Sequence, residues 1–502
     1  MVATSRVFWI GRLAALPPAV ALCILVTAHP AWAQRADDTD QLLRGVIEYD
    51  GSTGAERRRA ERLAVHEEEQ ANEEQEQADG RAGDTAAGLD DTTTGAVEAV
   101  QRTGPVQWFG RNNPTQPTVD TVVRQPDPDP YAAVGMRIGT FILRPTLTQQ
   151  LGHESVLDGD AQTARTLSRT TLAAELESDW SRHQFKLSAE QVIDITLSGD
   201  GPEDPSTSVD AELRLDISST TTANLFFGYD FRREDQTDAN SVENAIAQSD
   251  VHSFEGRAGL EHSFGVWAGR ATFTAMRSTY GDVELDDGEE LSQSERDNNS
   301  YRLALRAGAD NGSVLRPFAE IEGTLIDYDE TEDENGYNRS SNGFALRAGA
   351  VFDRGEKWNG EIAAGYMQRN YNDPRLEPIG ALSISGYANW SPERDTVVRL
   401  GLNSSIEDST TAGVSGSVYY SASADITRKV RENFITRLNG QLGWRRYYGD
   451  LPEETVIVAG AGFTWWLNRN VGIDGEVSYE KTYSEDTDND DIYVGLGMKF
   501  QR

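Results

Sequence analysis

The stretch DIYVGLGMKF, residues 491–500, alternates without a break. Ile492, Val494, Leu496, Met498 and Phe500 share one face, and Tyr493, Gly495, Gly497 and Lys499 share the other. A period of two is the signature of a strand with one apolar side. The same pattern recurs upstream. Phe344, Leu346, Ala348, Ala350 and Phe352 oppose Gly343, Ala345, Arg347 and Gly349. Val209, Ala211, Leu213, Leu215 and Ile217 oppose Asp210, Glu212, Arg214 and Asp216. Val471, Ile473, Val477 and Tyr479 oppose Gly472, Asp474, Glu476 and Glu480.

A soluble sandwich alternates too, so three further features decide. The runs extend over about 10 to 15 residues, against roughly 5 to 6 for a soluble strand, and a tilted strand needs about 9 to 11 to cross a bilayer. Short and long links alternate along the chain. Short ones fall near Ser181-Arg182, Ser218-Ser219, Phe264-Gly265, Asp310-Asn311-Gly312, Arg354-Gly355, Pro392-Glu393, Arg428-Lys429 and Asn468-Arg469. Long acidic ones include REDQTDANSVENAIAQSD, GDVELDDGEELSQSERDNN, DETEDENGYN and SEDTDNDD. Tight periplasmic turns and longer extracellular loops produce this rhythm. Aromatics also sort by end. Trp180, Trp267, Trp358, Trp390, Trp465 and Trp466 stand by short turns, and Tyr280, Tyr328, Tyr371, Tyr447, Tyr448 and Tyr483 by long loops. Two girdles at the two membrane interfaces are expected. The fold class is therefore all-β: a transmembrane antiparallel β-barrel of about 18 strands, from Arg137 to Phe500, with both ends on the periplasmic side.

What precedes the barrel differs in kind. Residues 1–33 read as a signal peptide: Arg6 and Arg12, an apolar run from Leu13 to Thr27, then Ala31-Trp32-Ala33 as a cleavage box. Residues 34–130 are acidic and proline-rich. Only six aromatics precede Tyr131, namely Phe8, Trp9, Trp32, Tyr49, Trp108 and Phe109. Such a segment cannot bury enough surface to offset chain entropy, so disorder is expected, with helix formers over 55–79 as the exception. Residues 131–502 form the barrel domain. The expected location is the outer membrane, with the segment 34–130 in the periplasm.

Composition excludes several functions. Acidic residues number 82 against 46 basic, a formal charge of −36, which argues against nucleic acid. Cys23, the only cysteine, lies in the leader, so no thiolate chemistry or Cys-ligated metal is expected. Within the barrel, His153, His183, His252 and His262 are scattered, with no nucleophile elbow nearby, so no enzyme is expected. Asp486, Asp488 and Asp490 crowd one loop without the glycine and distal glutamate of an EF-hand. Neither a metal site nor a cofactor is expected.

The candidate functional residues are the inward charges. Parity turns Arg302, Arg306, Arg347, Arg437 and Arg445 to the lumen, with Asp210, Glu212, Asp216, Asp474, Glu476 and Glu480. An Arg on the lipid face at mid-bilayer costs about 2 to 4 kcal/mol, so burial in the lumen needs no functional cause. Rows of such charges also set selectivity in pores. Arg302, Arg306, Arg347, Arg437, Asp474 and Glu476 are the binding candidates.

Longer segments resemble a known family. DPYAAVGMRIGTFILRPTL (129–147), SDWSRHQFKLSAE (178–190), EDSTTAGVSGSVYYSASADITRKVREN (407–433) and TWWLNRNVGIDGEVSYE (464–480) look like the outer-membrane β-barrel protein family, the β-barrel porins of the second type. These motifs are architectural and cover essentially the whole barrel. The resemblance implies an outer-membrane location, contact with lipid and lipopolysaccharide, and delivery by the barrel-assembly machinery through Gly495, Met498 and Phe500. Some members resemble barrels of exopolysaccharide export, so passage of polar solutes or polysaccharide is expected. The alternative is a structural anchor whose periplasmic tail binds a partner.

Overall fold

A computed structural model describes residues 130–502, apart from 159–160, 200, 202, 235–239, 241, 243–244, 286–287, 289, 356 and 485–487. The expected leader and the segment 34–130 lie outside the described residues. The wall is built from β1 (Phe141–Asp158), β2 (Ala161–Ser178), β3 (Gln184–Gly199), β4 (Ser206–Ser218), β5 (Thr221–Arg233), β6 (Asp250–Phe264), β7 (Trp267–Tyr280), β8 (Asn298–Ala309) and β9 (Leu315–Tyr328). It continues through β10 (Ser341–Asp353), β11 (Trp358–Tyr371), β12 (Ile379–Trp390), β13 (Thr396–Glu407), β14 (Gly416–Arg431), β15 (Phe434–Tyr448), β16 (Glu454–Trp466), β17 (Val471–Tyr483) and β18 (Asp488–Gln501). Each strand pairs antiparallel with the next, and β18 returns to β1 from Thr146↔Gln501 to Asp158↔Asn489. The result is a closed 18-stranded ring. Closure removes the sheet edges that hydrocarbon cannot satisfy.

Parity sorts the two faces as expected. On β18, Ile492, Val494, Leu496, Met498 and Phe500 are exposed outward, while Tyr493 and Lys499 are buried inside. Short turns gather at one rim, at 179–183, 219–220, 265–266, 310–314, 354–357, 391–395, 432–433 and 467–470. The longer connections 234–249, 281–297, 329–340, 372–378 and 408–415 stand at the other. Parts of two of them pair outside the wall as a small sheet of Ala245–Ala247, Val283–Leu285 and Glu290–Leu291.

Four details differ from the sequence reading. The barrel does not start at Arg137. Met136–Ile138 instead folds back on Phe141–Leu143, through a turn that Gly139 makes with φ +63°. That left-handed conformation is open to glycine and strained for other residues. The turn placed at Arg428-Lys429 falls at Glu432-Asn433, because β14 continues past an irregularity to pair Arg431 with Phe434. The loop SEDTDNDD is shorter, since β18 begins at Asp488. Asp490 is held in the wall by Lys481 at 3.0 Å and by the Tyr479 hydroxyl at 3.0 Å.

The fourth concerns aromatics. Trp180, Trp267, Trp358, Trp390 and Trp465 do form an outward belt at the short-turn rim, joined by Phe264. Trp466 is buried, one residue out of phase with Trp465. At the loop rim Tyr483 faces out, but Tyr328 and Tyr447 are buried, and Tyr280 lines the lumen. Their positions fall on the inward register of β7, β9 and β15, so nearness to a loop did not decide their direction.

Closure at β1 and β18 depends on small residues. A Cβ on Gly497 would lie 2.0 Å from the Gln149 carbonyl. Gly497→Ala is expected to cost about 1–3 kcal/mol through this overpacking. It should lower the temperature at which the folded barrel loses its fast-migrating gel band. Gly323→Ala, with nothing within 4 Å of the new Cβ, should leave it unchanged.

Candidate functional site

The ring encloses a cavity of about 680 Å³ lined by strands from β2 to β17. Its charges come from the inward faces, and the antiparallel register sets them side by side. Glu261 on β6 faces Arg270 on β7, and Arg270 faces Arg306 on β8. Arg306 faces Glu320 on β9, and Glu320 faces Arg347 on β10. The adjacent cations Arg270 and Arg306 are each held by an acid of their own. Arg270 is held by Glu261 at 3.0 and 2.6 Å. Arg306 reaches Glu361 at 3.0 and 2.7 Å and covers the Phe318 ring at 3.3 Å. Arg347 bonds Glu320 at 2.7 Å, Glu322 at 3.1 Å and Ser383 at 2.8 Å. Arg302 makes only a 3.5 Å pair with Glu322, and 46% of its side chain is exposed to the lumen.

A second cluster sits near the closure. Arg169 forks onto Asp194 at 2.8 and 2.6 Å, stacks on Tyr493 at 4.1 Å and lies 4.0 Å from Glu476. Arg165 pairs with Glu154 and with Asp204 at 2.7 Å. Asp474 accepts from Arg437 at 2.9 Å, Thr464 at 2.6 Å and Gln150 at 3.2 Å. The six candidates therefore divide. Arg302, Arg306 and Arg347 line the cavity on one wall. Arg437, Asp474 and Glu476 belong to the cluster beside β1 and β18.

The loop rim is drawn inward. Asn240, from the β5–β6 connection, donates to the Asp408 carbonyl at 3.2 Å and accepts from Thr410 N at 2.9 Å in the β13–β14 connection. These two connections start from nearly opposite sides of the ring. Around them, Arg369 pairs with Asp408 at 2.7 Å, and Arg445 with Glu407 at 2.8 Å and Glu454 at 2.6 Å. Arg296 bonds Glu234 at 2.8 Å and covers Tyr280 at 4.0 Å. Arg339 holds the Val414 and Thr411 carbonyls at 3.0 and 3.1 Å. Next to it, Asp373 accepts from Arg375 N and Nε, both at 2.9 Å, and from Asn338 N at 3.1 Å. The Arg375 side chain and backbone hold the Asp373 carboxyl well below the usual carboxylate range.

Sequence reasoning missed Arg165, Arg169 and Asp194. On β2 the outward positions are Thr166, Ser168 and Thr170, so Arg165 and Arg169 alternate with polar residues and the pattern has no contrast. Glu320, Glu322 and Glu361 were readable from parity. Glu234, Asn240 and Asp408 lie in or beside connections, where no periodicity places them. The four barrel histidines remain apart. His183 accepts from Asp216 N at 3.2 Å and His262 contacts Thr221 at 2.8 Å, whereas His153 contacts Thr166 at 3.3 Å and His252 contacts Tyr229 at 3.1 Å. Among the described residues no group of three or more His, Cys, Asp or Glu is placed to hold a metal.

A family model described as Putative beta-barrel porin 2 matches residues 129–502. No curated protein matches the sequence. Among solved structures, Pseudomonas aeruginosa OccK2 is 10% identical, with a TM-score of 0.36 over 72% of this chain and 98% of its own. Pseudomonas aeruginosa OpdL is 10% identical, with a TM-score of 0.34 over 72% and 99%. The FrpB iron transporter from Neisseria meningitidis is 8% identical, with a TM-score of 0.33 over 67% of this chain and 62% of its own. Scores this low leave the fold to rest on its own strand pairing.

Two outcomes follow for the charge network. Asp194→Asn removes the carboxylate onto which the buried Arg169 forks, and breaking one side of a buried pair costs about 3–5 kcal/mol. Replacing both with apolar residues should cost less than Asp194→Asn alone in denaturant titrations of the folded barrel. For Asp373, a folded value below the unfolded one gives stability that is present above about pH 4 and lost as pH falls through the folded value. Amide protection at Asn338 and Arg375 should thus persist below the ordinary carboxylate range, and Asp373→Asn should lose it at every pH.

Proposed function

Because the chain belongs to the Putative beta-barrel porin 2 family, we propose that it is an outer-membrane channel for small polar solutes. One observation carries this reading: the lumen is a cavity ringed by charged side chains, and those charges compensate one another. Arg169, Arg257, Arg270, Arg306, Arg347, Arg369 and Arg445 each meet a carboxylate. A wall of paired charges offers hydrogen bonds without a strong net field. It favours solutes that are uncharged or carry both signs. The bridge at Asn240 narrows the loop rim, which favours small solutes over a polysaccharide chain.

The segment 34–130 belongs, in this reading, to the periplasm. The chain reaches the barrel at the short-turn rim, where Gln501 donates to the Tyr131 carbonyl at 2.6 Å and to the Arg469 carbonyl at 2.8 Å. Delivery by the barrel-assembly machinery and contact with lipopolysaccharide go with the same location.

Planar-bilayer recording tests the proposal. The purified barrel should give stable single-channel currents, with a reversal potential near zero across a KCl gradient. Arg302→Glu should tilt permeation toward cations, since Arg302 is the most exposed cation of the cavity wall described above. Asn240→Ala should raise the conductance. Silence that persists after deletion of residues 34–130 would sink the channel reading in favour of an anchor.

A further inference from the structure

One joint of the wall is built differently. Between β12 and β13 the ladder runs from Trp390↔Val398 to Gly386↔Leu402 and stops. Both strands go on. β12 continues to Ile379 against β11, and β13 continues to Glu407 against β14. Extending the register would set Ile384 against Ser404. There, the Ser404 hydroxyl accepts from Ile384 N at 2.7 Å and donates to Ile384 O at 3.0 Å. The Tyr448 hydroxyl donates to Gly380 O at 2.8 Å. Gly380 and Ile384, on one strand edge, are thus bonded by two side-chain hydroxyls instead of a neighbouring backbone. Behind them, Val418 of β14 packs against Ile379 and Ala381 of β12.

A strand edge facing hydrocarbon must keep its polar groups bonded, and a closed ladder does so permanently. Hydroxyls do it reversibly, because a rotation about side-chain torsions releases each bond while both strands stay paired on their other sides. At the β12–β13 joint these bonds can open without unpairing either strand from its other neighbour.

A second observation lies on the lumen side of the joint. Asn403 and Ser405 flank Ser404 and line the cavity. Asn403 is 6% exposed, yet among the described residues its Nδ2 has no hydrogen-bond partner, and neither does the Ser405 hydroxyl. Stranded buried donors are costly, so a ligand that accepts hydrogen bonds is favoured there. Ala345, Met367 and Ile406 give the same stretch of cavity an apolar side. On the outer face, Leu382 and Trp444 are exposed, and Tyr420 stacks on Trp444 at 5.7 Å. From outside to inside, the joint therefore offers an aromatic rim, an apolar packing layer and two buried donors.

We propose that this joint is a lateral portal for a single-chain amphiphile. The apolar chain lies through the seam into the membrane, and a hydrogen-bond-accepting head sits on Asn403 and Ser405 in the lumen. This is a second route and a second class of ligand, separate from the passage of small polar solutes along the barrel axis.

The test uses the full chain in phosphatidylcholine vesicles with a trace of photoactivatable dodecylphosphocholine. Adducts are mapped by mass spectrometry, and heat-modifiable gel migration checks that each variant is folded. Residues 403–406 and Met367, which line the cavity, should be labelled. Ser404→Ala and Tyr448→Phe should each raise that labelling several-fold, and Tyr448→Phe serves alone where Ser404→Ala does not fold. A disulfide between Ile384→Cys and Ser404→Cys should abolish it, and reduction should restore it. Asn403→Leu should lower labelling at 405 and 406 without changing labelling of the outer belt. Equal lumen labelling in the oxidised and reduced double variant would overturn the portal, since the probe would then enter by the mouth. Labelling confined to the outer belt in every variant would overturn it as well.

Discussion

A chain that crosses hydrocarbon as strands has to satisfy every backbone N–H and C=O within the wall, since no water is there to accept them. The ring of β1 to β18 meets this demand by pairing each strand with two neighbours and β18 with β1. Most other features follow from it. Strands are long because the membrane is thick. Residue parity then divides every strand into a lipid face and a lumen face, so a charged residue in the sequence has one place to go. Where the ladder stops, between β12 and β13, the same demand is met by Ser404 and Tyr448. The wall is closed there too, but by groups that can let go.

The lumen obeys a second demand of the same kind. Charges brought inside by parity lose part of their water and must find partners. Adjacent strands supply them in register, as in the row Glu261, Arg270, Arg306, Glu320 and Arg347. A wall so compensated has little net field, which ties the structural reason for the charges to the solutes they suit. Arg302 departs from this, since its single acid, Glu322, is shared with Arg347.

The connections add what strands cannot. A barrel wall alone would leave its mouth as wide as the ring. Here Glu234, Asn240, Arg339 and Asp408 draw chain from separate sides of the rim toward one another. Arginine recurs in these contacts because one planar fork holds carboxylates and carbonyls from different segments at once.

The sequence by itself determined the fold class, the strand number and the direction of most side chains, because a two-residue period in a membrane has one physical meaning. DIYVGLGMKF (491–500) was enough to set the outer and inner faces of β18, and both matched the exposure of Ile492 and the burial of Tyr493. It also placed Arg302, Arg306 and Arg347 in the lumen. It misdirected Tyr280, Tyr328 and Tyr447, since nearness to a loop was read where only register counts. It was silent on Arg165 and Arg169, whose outward neighbours are polar as well. Only the tertiary structure decided which charges meet, that Asn240 reaches the β13–β14 connection, and that the ladder halts at Gly386↔Leu402. These depend on how far each strand extends past its neighbour and on where a connection turns. Neither is written in the alternation of a single strand.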